Sequence, residues 1–351
     1  MEGEMGAIVY HGPQHITYDK VDIPTLRTGE ILIKVKAATT CGTDLKTYMR
    51  GYRGYPPPFI LGHEYAGDIV KVGEGVSWLK EGMRVSGVNS APCFTCYYCQ
   101  HGQYSLCDNL FKDYPGATPA LGTFAEYVRI PAQITKVNVF EIPDGVAYEK
   151  VAVTEPLACA MQGVEDCSIQ IGDSVAIIGC GPLGLFHLQL VRDRGAGKII
   201  SLDINDYRLG LAKQLGADFT INSKSTDPVK AVKELTGGRG ADVVLEAAGY
   251  AETWEQAIAM VRKGGRVNLF AGPPAGTKIA IDTNRMHYES LRLIATFHLT
   301  PSTARRSFNM ITSGRINLDP ILAPRKMKLE EAEKALLMMK EGSALKIALT
   351  P

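Results

Sequence analysis

Four cysteines occupy one short segment of the chain: Cys93, Cys96, Cys99 and Cys107. Four thiolates at this spacing, with no histidine, suit a closed tetrahedral zinc site that leaves no coordination position for a substrate. Cysteine thiolates also hold iron–sulfur clusters, so iron is the competing metal. Residues 93–107 contain no lysine or arginine, which argues against a zinc-ribbon-like module that binds nucleic acid. The spacing therefore predicts a structural metal site.

A second set of metal-binding residue types is dispersed along the chain, at Cys41, His63, Glu64 and Glu155. One thiolate, one imidazole and carboxylates suit zinc with an open position for water or substrate. Other interpretations stay open on residue type alone. A lone histidine is usually packed or exposed, and Glu155 also suits the first turn of a helix. The set is thus a hypothesis for a catalytic metal centre.

A glycine-rich turn follows a predicted buried strand and opens a predicted helix. Its pattern, G-x-G-x-x-G, is also found in ordinary turns. In this context its three glycines suit a tight turn, a close approach of pyrophosphate, and packing of the helix on the strand. The positive end of the helix favours phosphate at the same place. The candidate cofactor-binding residues in the turn are Gly179, Gly181, Pro182, Leu183 and Gly184.

Asp203 follows the next predicted strand, where a dinucleotide-binding fold needs a carboxylate for the ribose 2′-hydroxyl. Because a carboxylate there repels a 2′-phosphate, the residue favours NAD over NADP. The alternative role for Asp203 is the N-cap of the helix that follows. Arg208 is a further candidate beside the same ribose, or else a solvated helix residue.

The secondary structure that the sequence predicts around these residues changes along the chain. Residues 1–150 are rich in glycine, proline and β-branched residues, which predicts short strands joined by long loops. From Ser174 to Phe270, buried-type strands alternate with helical patterns, the last of them Thr253–Arg262, which predicts a parallel doubly wound sheet. The C-terminal part has one clear helical pattern, Leu329–Met339, and a terminal strand, Ala344–Leu349.

Composition narrows the possible classes of protein. Of the 351 residues, 45% are hydrophobic and 21% are charged, and the formal net charge is +1. These values argue for a folded chain of more than one domain and against global disorder. Because the net charge is close to zero, the chain has no overall electrostatic field that would attract nucleic acid or an anionic membrane. We expect no membrane span and no secretion signal, and therefore a cytoplasmic protein without a disulfide framework.

Taken in chain order, these motifs resemble those of the zinc-dependent medium-chain dehydrogenase/reductase family over nearly the whole chain. Besides the cysteine loop and the glycine turn, the matching motifs are Cys41-Gly-Thr-Asp44, Gly62-His-Glu-Tyr-Ala-Gly67 and Thr154-Glu-Pro-Leu-Ala158. The sorbitol and polyol dehydrogenase branch is the most similar. The resemblance implies a Rossmann NAD-binding domain, residues 156–294, inserted in a mostly β GroES-like catalytic domain, residues 1–155 and 295–351.

The resemblance also implies how the dispersed set binds metal. Cys41 and His63 match ligands of the catalytic zinc. In the polyol branch Glu64 is the third ligand and Glu155 holds a water molecule. In other branches the residue that matches Glu155 binds zinc directly, and the residue that matches Glu64 is remote or exchanges, so both arrangements stay open.

Three more residues match positions with a role in the family. Thr43 matches the hydroxyl that accepts the proton of the substrate alcohol. Asp44 matches the residue that orients the zinc-binding imidazole. Lys346 matches a basic residue that reaches the cofactor pyrophosphate, with an ordinary lysine at the end of a strand as the alternative.

The function that the resemblance implies is the interconversion of a secondary alcohol, on a polyol or diol, and its ketone. The implied cofactors are NAD and two zinc ions per chain, and the partner is the small-molecule alcohol or ketone. A homo-oligomer is implied, with a tetramer favoured over a dimer. The alternatives are a threonine- or butanediol-type dehydrogenase and, from another class, a non-catalytic NAD-binding relative.

Two departures from the family pattern bear on the proton path and on the substrate. Lys46 stands where many relatives carry a histidine of the proton path. The segment Thr296-Phe-His-Leu299 stands where sorbitol dehydrogenases carry an Arg-Tyr pair that contacts substrate hydroxyls. Sites built to bind several hydroxyls discriminate strongly, because their buried polar groups go unpaired with the wrong partner. We therefore expect a substrate smaller or less hydroxylated than sorbitol.

Overall fold

A computed structural model of the chain describes residues 3–52, 56–111 and 121–351. The chain divides into two compact units. One unit comprises Met1–Ala158 and Leu299–Pro351, and the other comprises Cys159–His298. None of the helices in the described ranges has both the length and the apolar character that crossing a membrane requires.

The strands of the described residues are numbered in chain order. They are β1 (Glu4–Gly12), β2 (His15–Asp22), β3 (Ile31–Thr39), β4 (Phe59–Ile60), β5 (Tyr65–Val72), β6 (Arg84–Gly87), β7 (Tyr127–Ile130), β8 (Val139–Glu141), β9 (Ser174–Ile178), β10 (Lys198–Asp203), β11 (Phe219–Asn222), β12 (Ala241–Glu246), β13 (Val261–Leu269), β14 (Arg292–Ile294), β15 (Met327–Lys328) and β16 (Ala348–Thr350).

The α-helices of the described residues are numbered in the same way, and two short 3₁₀ helices in these ranges span Tyr104–Leu106 and Leu329–Glu331. The α-helices are α1 (Gly42–Arg50), α2 (Tyr97–Gln100), α3 (Ala132–Val137), α4 (Tyr148–Val151), α5 (Thr154–Asp166), α6 (Pro182–Asp193), α7 (Asp206–Gln214), α8 (Pro228–Leu235), α9 (Ala251–Met260), α10 (Thr283–Tyr288), α11 (Pro301–Thr312) and α12 (Ala332–Glu341).

Two sheets of mostly antiparallel strands build the first unit. The larger sheet has the order β15-β16-β3-β5-β6-β8, with β7 also paired to β3, and the smaller has the order β2-β1-β4. Alternate side chains of β3, such as Ile31 and Ile33, are buried in the main apolar core of this unit. At Gly67 on β5, a Cβ would stand 2.2 Å from the Lys34 carbonyl oxygen, so the close approach of β5 to β3 requires glycine.

A six-stranded parallel sheet forms the centre of the second unit, in the order β11-β10-β9-β12-β13-β14. In its register Ile178 on β9 pairs with Leu202 on β10 and with Glu246 on β12. Parallel strands end at the same edge of a sheet, so the glycine turn after β9 and Asp203 at the end of β10 meet at one edge. The predicted α/β fold, with a doubly wound Rossmann sheet and a mostly β GroES-like part, is confirmed.

The last predicted helix of the alternation, Thr253–Arg262, ends earlier in the structure. Helix α9 ends at Met260, and Val261 already belongs to β13, where it pairs with Ala241 of β12. The buried, β-branched Val261 gains a strand partner there, and this tertiary pairing overrides the helical pattern of the local sequence.

The C-terminal part contains a helix that the sequence did not predict, α11. Its buried face includes the polar residues Thr303 and Ser307 beside Phe308, so its apolar pattern is interrupted. The sequence does contain a signal for the start of α11, a threonine followed directly by a proline. In the structure Thr300 is the N-cap and accepts a hydrogen bond from the Thr303 N–H.

Both predicted C-terminal elements are also displaced along the chain. The predicted helix Leu329–Met339 begins as a 3₁₀ turn, continues as α12 from Ala332 and extends to Glu341. The predicted strand Ala344–Leu349 is shorter, because β16 starts only where antiparallel pairing with Thr39 of β3 begins.

Candidate functional site

The amino end of α1 joins two of the predicted metal-binding residues. Cys41 is the N-cap of α1, and its backbone N–H donates to Asp44 Oδ2 at 2.8 Å. The other carboxylate oxygen of Asp44, Oδ1, lies 3.2 Å from Nδ1 of His63. Asp44 is 2% exposed, so one buried carboxylate holds both the Cys41 backbone and the His63 ring.

His63 is held with its second ring nitrogen, Nε2, turned away from Asp44. Burial opposes a charged ring, but Asp44 and Cys41 raise the pKa of His63 well above its usual value. The surroundings therefore favour a positive charge at this position. A metal-ligating histidine commonly gives its other N–H to a carboxylate, as the geometry here allows.

Glu64 completes a compact group with Cys41 and His63. One ligand atom from each of the three residues lies within 4.8 Å of the other two. A thiolate, an imidazole and a carboxylate are donors that zinc prefers, and three protein donors leave a fourth position open. The residues present fit a zinc ion of the catalytic type.

The Glu64 carboxylate has a cationic partner that the sequence did not predict. Lys346 Nζ lies 2.7 Å from Oε1 and 2.6 Å from Oε2 of Glu64, and the Thr39 hydroxyl donates to Oε2. Burial raises the pKa of Glu64, and the Lys346 charge opposes that change. The position of Lys346 at a cofactor pyrophosphate stays a prediction, because the structure places its ammonium on Glu64.

Glu155 and Thr43 lie outside the compact group. Glu155 stands in the first turn of α5, and its charge adds to burial in raising the pKa of Glu64. Thr43 is exposed on the first turn of α1, with its backbone N–H 3.5 Å from Cys41 Sγ. The structure thus groups Glu64, rather than Glu155, with Cys41 and His63.

The four cysteines of the loop form a second compact group. Their sulfur atoms all lie within 4.8 Å of one another. Backbone N–H groups point at the sulfurs, from Cys93 to Cys107 Sγ at 3.2 Å and from Cys96 to Cys93 Sγ at 3.4 Å. Hydrogen bonds of this kind stabilise thiolates, and a four-thiolate set suits a closed zinc site.

Without metal, the thiols of the cysteine loop differ in pKa. The Thr95 hydroxyl and other donors lower the pKa of Cys93 to about 5. Burial, with hydrogen bonds from neighbouring cysteines, raises the pKa of Cys99 to about 12. The four residues surround a small core with Leu110 and Tyr104. Metal binding requires all four thiols to be deprotonated. A bound cation would offset the repulsion between the four negative charges.

The glycine turn is tight, and its backbone is open to the solvent side at the start of α6. Gly179 has a φ of +95°, and a Cβ on Gly184 would stand 1.7 Å from the Gly179 carbonyl oxygen. Gly181 is the N-cap of α6, with Pro182 and Leu183 following in its first turn, and a Cβ on Gly181 would meet open space. A phosphate can therefore approach the backbone at Gly181 and the free N–H groups of the helix.

Asp203 and Arg208 lie at the same edge of the parallel sheet. Asp203 accepts hydrogen bonds from the backbone N–H of Cys180 at 2.7 Å and of Asn205 at 2.9 Å. It thereby ties the glycine turn to the end of β10, while Asn205 serves as N-cap of α7. The Nε of Arg208 is buried and has no hydrogen-bond partner among the described residues. Asp203 and Arg208 thus carry opposite charges at the same edge of the sheet.

Comparisons with known proteins cover both units. Residues 27–144 match the alcohol dehydrogenase GroES-like domain, and residues 182–313 match the zinc-binding dehydrogenase domain. The chain is 35% identical to an L-threonine 3-dehydrogenase of Bacillus licheniformis, over 100% of both chains. It is 31% identical to a sorbitol dehydrogenase of Bacillus subtilis, over 99% of this chain and 97% of that one.

A solved structure shares the whole fold. It is a zinc-binding dehydrogenase from Sinorhizobium meliloti bound to NADP, with a TM-score of 0.90 and 32% identity. The match covers 99% of this chain and 100% of that chain. The similarity therefore extends over both units and over the segments that carry the two metal groups and the glycine turn.

Proposed function

Since this chain belongs to the zinc-dependent medium-chain dehydrogenase/reductase family, we propose that it interconverts a small secondary alcohol and its ketone with NAD(H). The observation that carries the proposal is the Cys41–His63–Glu64 group, held by the buried Asp44. A fold that binds NAD without catalysis has no need of such an open set of ligands. The polyol or diol class of substrate is proposed from the motifs around Glu64 and Glu155.

Two zinc ions per chain are part of the proposal, one at the open group and one at the cysteine loop. When bound, the open-site zinc supplies a Lewis acid for the alcohol oxygen, and nicotinamide supplies the hydride acceptor. Asp44 keeps the His63 ring in one orientation and leaves Nε2 available. Thr43 Oγ1, two residues after Cys41 on α1, accepts the proton that the alcohol gives up and passes its own hydroxyl proton to the cofactor ribose or to solvent. The glycine turn binds the cofactor phosphates through backbone N–H groups.

The substrate is tested by measuring kcat/KM with NAD for sorbitol, xylitol, 2,3-butanediol, L-threonine and ethanol. We expect a maximum at a secondary alcohol other than sorbitol, because the Arg-Tyr pair of sorbitol dehydrogenases is absent at Thr296–Leu299. A maximum at sorbitol would show that this segment does not determine the substrate. A maximum at ethanol would place the chain in another branch of the family.

L-Threonine is the second candidate within the same reaction. It is favoured by the identity of 35% to a threonine 3-dehydrogenase over the full length of both chains. The reaction at its C3 hydroxyl is also an oxidation of a secondary alcohol to a ketone. If the kcat/KM for L-threonine exceeds that for 2,3-butanediol and xylitol, the polyol assignment is replaced by this one.

We propose that the protein prefers NAD over NADP, because the Asp203 carboxylate would repel the 2′-phosphate of NADP. We expect Asp203→Asn to raise the KM for NAD by about tenfold, since a hydrogen bond to a charged group contributes about 1.5–3 kcal/mol. Removing the charge also relaxes the discrimination against NADP. The measurement is kcat/KM for both cofactors.

Asp206→Asn is the matched control for this variant, because Asp206 lies at the start of α7 and its side chain is exposed. It should leave both values unchanged. Equal use of NAD and NADP by the wild type would contradict the role given to Asp203. That outcome would instead point to Arg208 as the cation facing a 2′-phosphate.

A homo-oligomer, with a tetramer favoured over a dimer, is proposed from the family. Light scattering on the purified protein tests it, and a monomeric mass at micromolar concentration would contradict it.

A further inference from the structure

The ammonium of Lys346 is bound by partners inside the first unit. A lysine ammonium has three N–H donors. Three acceptors surround it: Glu64 Oε1 at 2.7 Å, Glu64 Oε2 at 2.6 Å, and the Thr40 carbonyl oxygen at 2.7 Å. Lys346 is 1% exposed and Glu64 is fully buried. This ammonium is thus held by buried groups of its own unit.

The backbone around Lys346 is anchored on both sides of this contact. The Ile347 N–H donates to the Thr40 hydroxyl at 3.0 Å, and the Thr40 N–H donates to the Ile347 carbonyl at 3.0 Å. These bonds fasten the chain before β16 to the end of β3. The hydrogen bonds between these segments therefore direct the Lys346 side chain toward Glu64.

A metal ion at the open group needs the same carboxylate. A carboxylate has about four lone-pair directions, and here Lys346 and the Thr39 hydroxyl take about three of them. The lone pair that remains is on Oε1. Sharing one buried carboxylate between a metal ion and an ammonium weakens its bond to each, because both cations draw on the same negative charge and repel one another.

We propose that Lys346 competes with the metal ion for Glu64 and so sets how tightly the Cys41–His63–Glu64 group retains its zinc. This inference rests on the proposed function. Without metal, Lys346 supplies the counter-charge that keeps Glu64 ionised and in place. With metal, it keeps Glu64 a weak ligand of the ion. Lys346 is thus a positioning residue.

The first test is the release of open-site zinc from the holoenzyme to a chromogenic chelator. In Lys346→Met, Glu64 has the metal as its remaining cationic partner, and we expect release to slow by about tenfold or more, which corresponds to about 1.4 kcal/mol. Lys346→Arg keeps the positive charge and should release zinc at a rate near that of the wild type. Zinc in the cysteine loop of the same molecules serves as the internal reference.

The second test reads the coordination directly, in protein loaded with Co²⁺ at the open group. We expect the visible absorption bands of Lys346→Met to change, because Glu64 binds the ion more strongly. The bands of Lys346→Arg should match those of the wild type. A merely structural role for Lys346 would leave the bands of all three proteins alike.

A third test measures the melting temperatures of the metal-free and zinc-bound proteins, and it can be read even if Lys346→Met is unstable without metal. Breaking a buried ion pair leaves an uncompensated charge, so metal-free Lys346→Met should melt below the wild type. Lys346→Met combined with Glu64→Gln removes that charge and should recover the lost stability. Zinc should raise the melting temperature of the single Met variant more than that of the wild type.

The outcomes separate the two proposals. Release from Lys346→Met that is as fast as from the wild type, or unchanged cobalt bands, overturns the competition alone. A wild type that binds metal at the cysteine loop and none at the open group overturns the proposed function and the competition together.

Discussion

Replacing His63 by alanine is expected to lower kcat/KM by about a thousandfold or more, which corresponds to about 4 kcal/mol of transition-state stabilisation. The variant loses the Nε2 ligand and leaves the buried Asp44 without its ring partner. Cys41→Ala should have an effect of the same size, because it removes the thiolate of the same group. Steady-state kinetics and zinc analysis of the same preparations check both variants.

The fold should survive these changes, because the cysteine loop and the apolar cores do not depend on His63. His15→Ala is the matched control, since His15 is exposed on β2. It should retain wild-type activity and metal content. Asp44→Asn should lower the zinc affinity of the open group by about 10–100-fold, the usual effect of losing a partner behind a metal ligand. Activity near that of the wild type in His63→Ala would rule out the proposed centre.

Replacing Cys96 by alanine is expected to damage stability before activity. The loop has a small apolar core of its own, built around Cys99, Cys107 and Leu110. Binding of structural zinc contributes about 10–16 kcal/mol in small zinc-binding peptides, so the local loss should be about 5 kcal/mol or more. The zinc content should fall from two ions per chain to one, and protease should cut the loop more rapidly.

Cys167→Ala is the control for this experiment. Cys167 is a free, buried cysteine, whereas Cys96 is half-buried, and Cys167 belongs to neither metal group. Its replacement should leave the zinc content at two ions per chain and the loop resistant to protease. Iron in the freshly purified wild type, or a single zinc ion even after zinc supplementation, would contradict the two-zinc assignment.

Local sequence determined the parallel sheet of the second unit. Buried parallel strands such as β9 and β10 are continuous apolar runs, and a helix must follow each of them to cover the sheet. The glycine turn could also be located from sequence, because Gly179 and Gly184 satisfy steric demands that arise within six residues. In each case the physical cause lies within one strand–helix unit, so a pattern along the chain is enough to reveal it.

Tertiary contacts determined the secondary structure where the local sequence pattern was misleading or weak. Val261 joins a strand because β12 lies beside it, although the preceding residues continue a helical pattern. The buried face of α11 includes Thr303 and Ser307, and polar residues do not mark a core face in sequence. The resemblance to a known family, on the other hand, led correctly to the α/β fold with its GroES-like part.

The environment of Glu64 was also decided by the tertiary structure. Sequence marks Cys41, His63 and Glu64 as residue types that bind metal, since their chemistry is intrinsic to each side chain. It does not show that Lys346, which is 282 residues from Glu64, supplies the opposing charge. That contact exists because the segment before β16 is fastened beside the end of β3. Burial of both groups then makes their pairing obligatory, because an isolated charge in the protein interior is costly.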